Sequence, residues 1–309
     1  MLRTRQLTSV VTLFACVTAA SAWSPARAQD STPAKPVPKQ PAPPATAPDA
    51  PAAAPAAEDL PAVADILAKY IKAIGGEEAL RSRSSRTIEA EFSIPSMSMS
   101  GNMTIRNKAP DLLVMSMNVP GLGDVRTGYD GKIAWAEDPA MGPMVIEGAQ
   151  LEQMKRDADF YKELNFQKHY PTMKTTGTEE LEGKNCYAVT MSDAGGSETV
   201  ALFDMASGLL VGMKADAATP MGDMPTVTYL RDYTDYDGVL LPQVTETAMA
   251  SMKQVIKVKS VSWDALETDA FKLPPQIKAL TEKTGDEQIP PLAPATPAAP
   301  GGTGSPKGK

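Results

Sequence analysis

The sequence predicts a mainly β protein of the α+β class. The expected form is a curved, half-open antiparallel β-barrel with an N-terminal helix and a helical lid inserted mid-meander. Three observations lead there. Beyond Ser85, apolar and polar residues alternate with period two in successive short segments punctuated by Gly-containing turns such as Asp130-Gly131, Glu182-Gly183 and Asp237-Gly238. The spacers are too short for parallel crossovers, so the strands must form an antiparallel meander, and so long a sheet must curl or close. Only two segments of the folded block depart from this pattern, and both carry helical period.

The elements follow in chain order. Residues 1–28 read as an export signal: Arg3 and Arg5 precede an uncharged, mostly apolar stretch from Leu7 to Ala22, and Ala26-Arg27-Ala28 supplies small residues for cleavage. A lipobox at Leu13-Phe14-Ala15-Cys16, with Cys16 lipidated, competes, but bulky Phe14 fits it poorly. Residues 29–58 are rich in Ala and Pro, and proline fixes φ and removes amide donors, so a disordered linker is expected. The folded domain is expected over 59–275. Asp59 would cap a helix with Pro61 in its first turn, and Val63, Ile66, Leu67, Tyr70, Ile71 and Ile74 form its apolar stripe before Gly75-Gly76 ends it.

The strands are predicted at 86–94, 97–107, 111–119, 124–129, 132–136, 173–179, 185–192, 198–204, 208–215, 226–236, 239–249 and 253–263. Between the fifth and sixth lies the lid, a helix carrying Leu151, Met154, Phe160, Tyr161 and Leu164. Eight prolines between Pro274 and Pro306 mark 276–309 as a disordered Pro/Gly-rich tail.

Composition excludes several classes. A net charge of −7 disfavours nucleic-acid binding. A single histidine, His169, and two cysteines disfavour zinc sites, Ser–His–Asp triads and Cys–His pairs, so no catalytic residue, metal or cofactor is expected. After cleavage only Cys186 would remain, a small buried hydrophobe rather than a disulfide partner. Asp232, Asp235 and Asp237 depart from calcium-loop spacing. His169 reads as a surface or hinge residue after the lid.

Methionine is the unusual feature, with 17 in the chain. Met97, Met99, Met103 and Ile105 share one face of the second predicted strand, and Leu113, Met115, Met117 and Val119 share one face of the third. Two explanations stand. Methionine fills irregular gaps in an ordinary core, or it lines a cavity for flexible apolar ligands. On the second reading these eight residues are the lipid-binding lining. Gly101 would be a point of close approach for another chain. Met141, Met144, Met221 and Met224, in two echoed turns, would rim the mouth or fold back on the core.

These residues resemble a known group. Asp65-Ile66-Leu67 through Ala73-Ile74-Gly75-Gly76, Gly128-Tyr129-Asp130-Gly131-Lys132-Ile133-Ala134-Trp135, Asp157-Ala158-Asp159-Phe160-Tyr161, Phe203-Asp204, and Asp232-Tyr233 through Asp237-Gly238 with Leu241-Pro242 are similar to the outer-membrane lipoprotein-sorting (LolA/LolB-like) superfamily. The resemblance spans Asp59 to Pro275. It implies a half-barrel whose concave apolar face holds the acyl chains of lipids or lipoproteins under a helical lid, in a periplasmic monomer. No residue role transfers with it. Three functions remain open: an acyl-chain carrier, a lipid-sensing or scaffold domain that binds an envelope protein partner, and, last, an enzyme on this fold.

Overall fold

The structure is a computed structural model that describes residues 60–219 and 222–286. The expected signal peptide, the linker and Met221 lie outside the described residues, as does the tail beyond 286. Helix α1 (Val63–Ala73) and α2 (Gly76–Arg81) open the domain. Six strands follow: β1 (Ser85–Ile94), β2 (Met99–Lys108), β3 (Leu112–Val119), β4 (Gly123–Tyr129), β5 (Ala134–Asp138) and β6 (Gly142–Ile146). After α3 (Gly148–Ala158) and α4 (Phe166–His169) come β7 (Thr172–Leu181), β8 (Lys184–Ser192), β9 (Glu198–Asp204), β10 (Leu210–Thr219), β11 (Gly222–Tyr236), β12 (Val239–Met249) and β13 (Met252–Ser262). Helix α5 (Pro275–Asp286) ends the described chain.

Among the described residues, 13 strands form one antiparallel sheet in the order β6-β5-β4-β3-β2-β1-β13-β12-β11-β10-β9-β8-β7. The first and last strands, β1 and β13, therefore meet in its middle, with Phe92 opposite Ile256. The sheet stays open because its edges, β6 and β7, do not pair. The chain that joins those two edges, 147–171, carries α3 and α4.

Local chemistry sets the turns. Asp237 (φ 54°) and Gly238 (φ 87°) join Tyr236 directly to Val239, the two-residue type I′ geometry that Asp-Gly favours. Asp130-Gly131 differs from the expected tight turn. It sits in a four-residue loop between Tyr129 and Ala134, where the Asp130 carboxylate accepts the amides of Lys132 (2.9 Å) and Ile133 (2.8 Å). Helix α1 starts at Val63 with Ala62 in the N-cap position and no side-chain cap, and the expected cap Asp59 lies outside the described residues. Gly75 (φ 121°) ends the helix where a Cβ would lie 2.2 Å from the Gly238 carbonyl oxygen. Only glycine lets the helix end dock there, and Leu240 N donates to Ile74 O at 3.0 Å.

The apolar stripe of α1 packs Ile66, Tyr70 and Ile74 against Val189, Met191, Ala201, Phe203 and Leu210. Each fully buried side chain of this size contributes about 1.5–3 kcal/mol. Tyr70 meets Phe203 edge-to-face at 5.5 Å and Phe166 of α4 at 6.1 Å, which ties the edge-to-edge connection to α1. Across the same concave face, α3 lays Leu151, Met154 and Ala158 on Leu113, Tyr129 and Ala134.

Three sequence expectations are corrected. The folded block runs to Asp286 instead of ending at Pro275: Phe271 and Ile277 are buried with Val114 and Trp135 against β3 and β5. Trp135 alternates with the inward Ala134 and Ala136, so this C-terminal segment forms a third layer on the sheet's outer face. Gly128 makes room for it, since a Cβ there would sit 2.7 Å from the Trp135 ring. Second, of the turn expected at Met141-Gly142-Pro143-Met144, the last three residues belong to edge strand β6. Third, residues 95–97 form a 3₁₀ turn with Ser98 left-handed (φ 51°), so β2 begins at Met99 and Met97 leaves the inward row.

Candidate functional site

A cavity of about 460 Å³ lies between the sheet's concave face and the connection 147–171. That volume falls within the ~300–1,000 Å³ typical of ligand pockets. Its walls come from both halves of the sheet because β1 and β13 meet at the centre. Ile88 and Ala90 of β1, Ile105 of β2, Leu113 and Met115 of β3 and Ile256 of β13 supply an apolar wall. Tyr70 and Ile74 of α1 close one flank.

The far half of the wall is built differently. Thr199, Thr226, Thr228, Thr245, Thr247 and Gln254 line it. The Thr228 and Thr247 hydroxyls are 3.1 Å apart, and Thr226 donates to Ala215 O at 2.8 Å, so the hydroxyls of these three threonines are already engaged. Sequence reasoning missed this row because alternation alone does not say which face of β11 and β12 turns inward. Here the larger residues, Val227 and Tyr229, take the outward side.

The methionine wall is mostly packed. Met103, Met117 and Val119 are buried with Ala90, Phe92 and Val125, and Met99 and Leu122 pack against that cluster. Of the eight lining candidates, Ile105, Leu113 and Met115 border the cavity; Met99, Met103, Met117 and Val119 do not, and Met97 is 43% exposed. Gly101 does not admit a second chain: a Cβ there would meet Asn118 O at 2.1 Å and the Phe92 ring at 2.7 Å. Met141 lies exposed in the β5–β6 turn, Met144 is on β6 and Met224 on β11, and none of the three borders the cavity.

The lid also differs from one continuous helix. The helix stops at Ala158, and the cavity is roofed by the turn 159–165 and by α4. Phe160, Tyr161 and Leu164 line the cavity from that turn, whereas Leu151 and Met154 face the β3–β5 cluster. Asp159 organises the turn. Its carboxylate accepts Tyr161 N (3.0 Å), Asn165 Nδ2 (2.9 Å) and Lys168 Nζ (3.1 Å), with His169 Nε2 at 2.8 Å. Burial pushes the Asp159 pKa up, but these hydrogen bonds outweigh it and hold the group below the ordinary carboxylate value. Burial holds His169 below its usual value although Asp159 pulls the other way. His169 is thus a half-buried partner of the turn, not a surface residue. The turn is anchored outward by Phe160 N to Pro110 O (2.9 Å) and Tyr161 Oη to Arg83 O (2.9 Å).

Burial also raises the pKa values of Tyr70 and Tyr233, and Tyr233 Oη donates to Leu210 O at 2.7 Å, so both phenols are neutral. Cys186 is buried on β8, away from the cavity. Among the described residues no group of three His, Cys, Asp or Glu side chains is placed to hold a metal, and no helix is long and apolar enough to cross a membrane. The arrangement offers an apolar chamber with hydroxyls at one end and arginines at the other.

No protein-family model matches the chain, and no curated protein matches it by sequence. Its structure is similar to solved ones. A LolA superfamily protein from Nitrosomonas europaea aligns at TM-score 0.51 and 12% identity, covering 69% of this chain and 99% of that one. A DUF1329 family protein from Desulfovibrio piger aligns at TM-score 0.50 and 13% identity, covering 68% and 97%. At such identities the likeness speaks for the fold: this chain has a LolA-like half-barrel.

Proposed function

We propose that this LolA-like half-barrel is a periplasmic binding protein that holds the acyl chains of lipids or lipoproteins and performs no chemistry on them. The observation that carries the reading is the cavity of about 460 Å³ roofed by a hydrogen-bonded turn. Apolar burial yields ~0.8 kcal/mol per methylene, so a chain of about 14–16 carbons offers on the order of 10 kcal/mol before ordering costs. The leader pattern at 1–28 and the Ala/Pro-rich composition of 29–58 support an exported protein.

The test is to purify the protein from cells and examine it by native mass spectrometry for bound lipid, then to titrate it with an uncharged fluorescent acyl ester. Binding that Met115→Asp abolishes, with an unchanged far-UV spectrum, supports a carrier. A folded protein that takes up no acyl chain sinks it. One observation favours a second reading: the methionine cluster around Met103 is filled by the protein's own side chains. On that reading the domain is a lipid-sensing or scaffold module for an envelope protein partner, and it would co-purify with protein instead of lipid.

A further inference from the structure

The chain carries a net charge of −7, yet the cavity lining has the opposite sign: Arg83, Arg86, Arg156 and Lys162 face Asp157 and Glu163. Two of the cations are already matched. Arg156 pairs with Asp193 at 3.1 Å, and Lys162 lies close enough to Asp157 to pull the pKa of that carboxyl down. The surplus resides at Arg83 and Arg86, at the end of the cavity beneath Phe160 and Tyr161.

Arg86 has no carboxylate within 4.0 Å among the described residues. Its Nε and Nη2 both donate to one neutral oxygen, Asn107 Oδ1, at 3.3 and 3.2 Å, and its guanidinium lies 5.7 Å from the Phe160 ring centre. A guanidinium has five N–H donors, and Nη1 makes no hydrogen bond among the described residues. Burial lowers its pKa and Glu163, from beyond ion-pair distance, raises it; the group remains a cation. Arg83 shows a related vacancy: Nη2 donates to Asp237 O at 2.7 Å, but its buried Nε–H has no acceptor. Its guanidinium packs over Trp263 at 5.4 Å.

A half-buried cation without a counter-charge is costly, and so is an unsatisfied buried donor such as Arg83 Nε. Holding two arginines at the edge of an apolar chamber is reasonable if a guest supplies the missing acceptors.

We propose that the cavity selects amphiphiles with an anionic head group, a carboxylate or a phosphate, and that Arg86, assisted by Arg83, binds that head while the chain runs toward the threonine-lined end. This rests on the acyl-binding reading and adds the charge of the ligand to it. Threonine hydroxyls, already engaged at the other end, offer no charge there, so the two ends are not equivalent.

The experiment compares two probes on the full chain: a long-chain fatty acid and its methyl ester, which differ in head charge. Wild type is expected to bind the acid about 10–100-fold more tightly than the ester, the range expected of hydrogen bonds to a charged group. Arg86→Gln should erase that preference by bringing the affinity for the acid down toward that for the ester, and Arg86→Lys should restore part of it. A lysophosphatidic acid competitor displacing the acid where inorganic phosphate does not would assign recognition to a head group attached to a chain. Displacement by inorganic phosphate alone would assign a free-anion site. Equal wild-type affinity for acid and ester overturns the proposal without any variant having to fold, and leaves acyl binding standing. Failure of both probes to bind removes both readings. Equal loss of both in Arg86→Gln would mark Arg86 as a support of the wall and overturn its role in head-group selection.

Discussion

Two methionines on neighbouring strands separate a packed wall from a hollow one. Met103 is fully buried among Ala90, Phe92, Met117 and Val125, whereas Met115, also buried, borders the cavity on one side. Met103→Ala removes atoms with partners all round and should cost about 2–5 kcal/mol. Met115→Ala removes atoms that face a void, where dispersion partners are already missing, and should cost about 1–2 kcal/mol. At about 2–4 °C per kcal/mol for a domain of this size, the melting temperature should fall by about 10 °C in the first variant and about 3–5 °C in the second. Differential scanning calorimetry on the two proteins, without added lipid, makes the comparison. Equal losses near 10 °C would mean that the chamber is filled. Equal losses near 3 °C would mean that the void extends along the whole methionine row. Either result refutes the division of the wall described above.

Further outcomes follow from the same contacts. Gly128→Ala would press a methyl against the Trp135 ring at 2.7 Å and Leu113 O at 2.9 Å, and should destabilise by about 1–3 kcal/mol in chemical denaturation. Ending the chain after Leu273 removes Ile277 from the outer layer, so Trp135 emission should shift to the red with a stability loss of about 2–4 kcal/mol. Lowering the pH should loosen the roof in two stages. His169 has a depressed folded pKa, so its contribution is lost as the pH falls below about 6.5; the Asp159 contribution persists until the pH falls below about 4, through its own depressed value. Amide exchange over 159–170, corrected for intrinsic rates, should rise in that order, and a flat profile between pH 7 and pH 3.5 would contradict it.

The architecture was legible because its signals are local. Period-two alternation, the Asp237-Gly238 turn and the stripe on α1 each depend on residues within a few positions of one another. What the sequence hid is set by distant partners. Alternation gives the two faces of a strand but not which one turns inward, so the row of Thr226 and Thr228 carries no signal of its place in the cavity. The Met103 row has the right parity, yet whether it lines space or fills it depends on Phe92 and Leu122. The helix around Leu151 was periodic, but Asp159 ends it by collecting hydrogen bonds from residues downstream, and the aromatics beyond it leave the helix. The outer layer escaped notice because proline-rich sequence after Pro274 obscured Phe271 and Ile277. Arg86 carried no sequence signal at all: an arginine opening a strand looks like any other until its neighbours prove neutral.

The two rims of the open sheet, β6 and β7, are consecutive in the chain, so the strap between them is fastened at both sides of the gap it spans. A bulkier guest that pushes the rims apart must draw that strap taut, and a slack strap lets the rims approach. Girth of the vessel and height of its cover are therefore one mechanical variable.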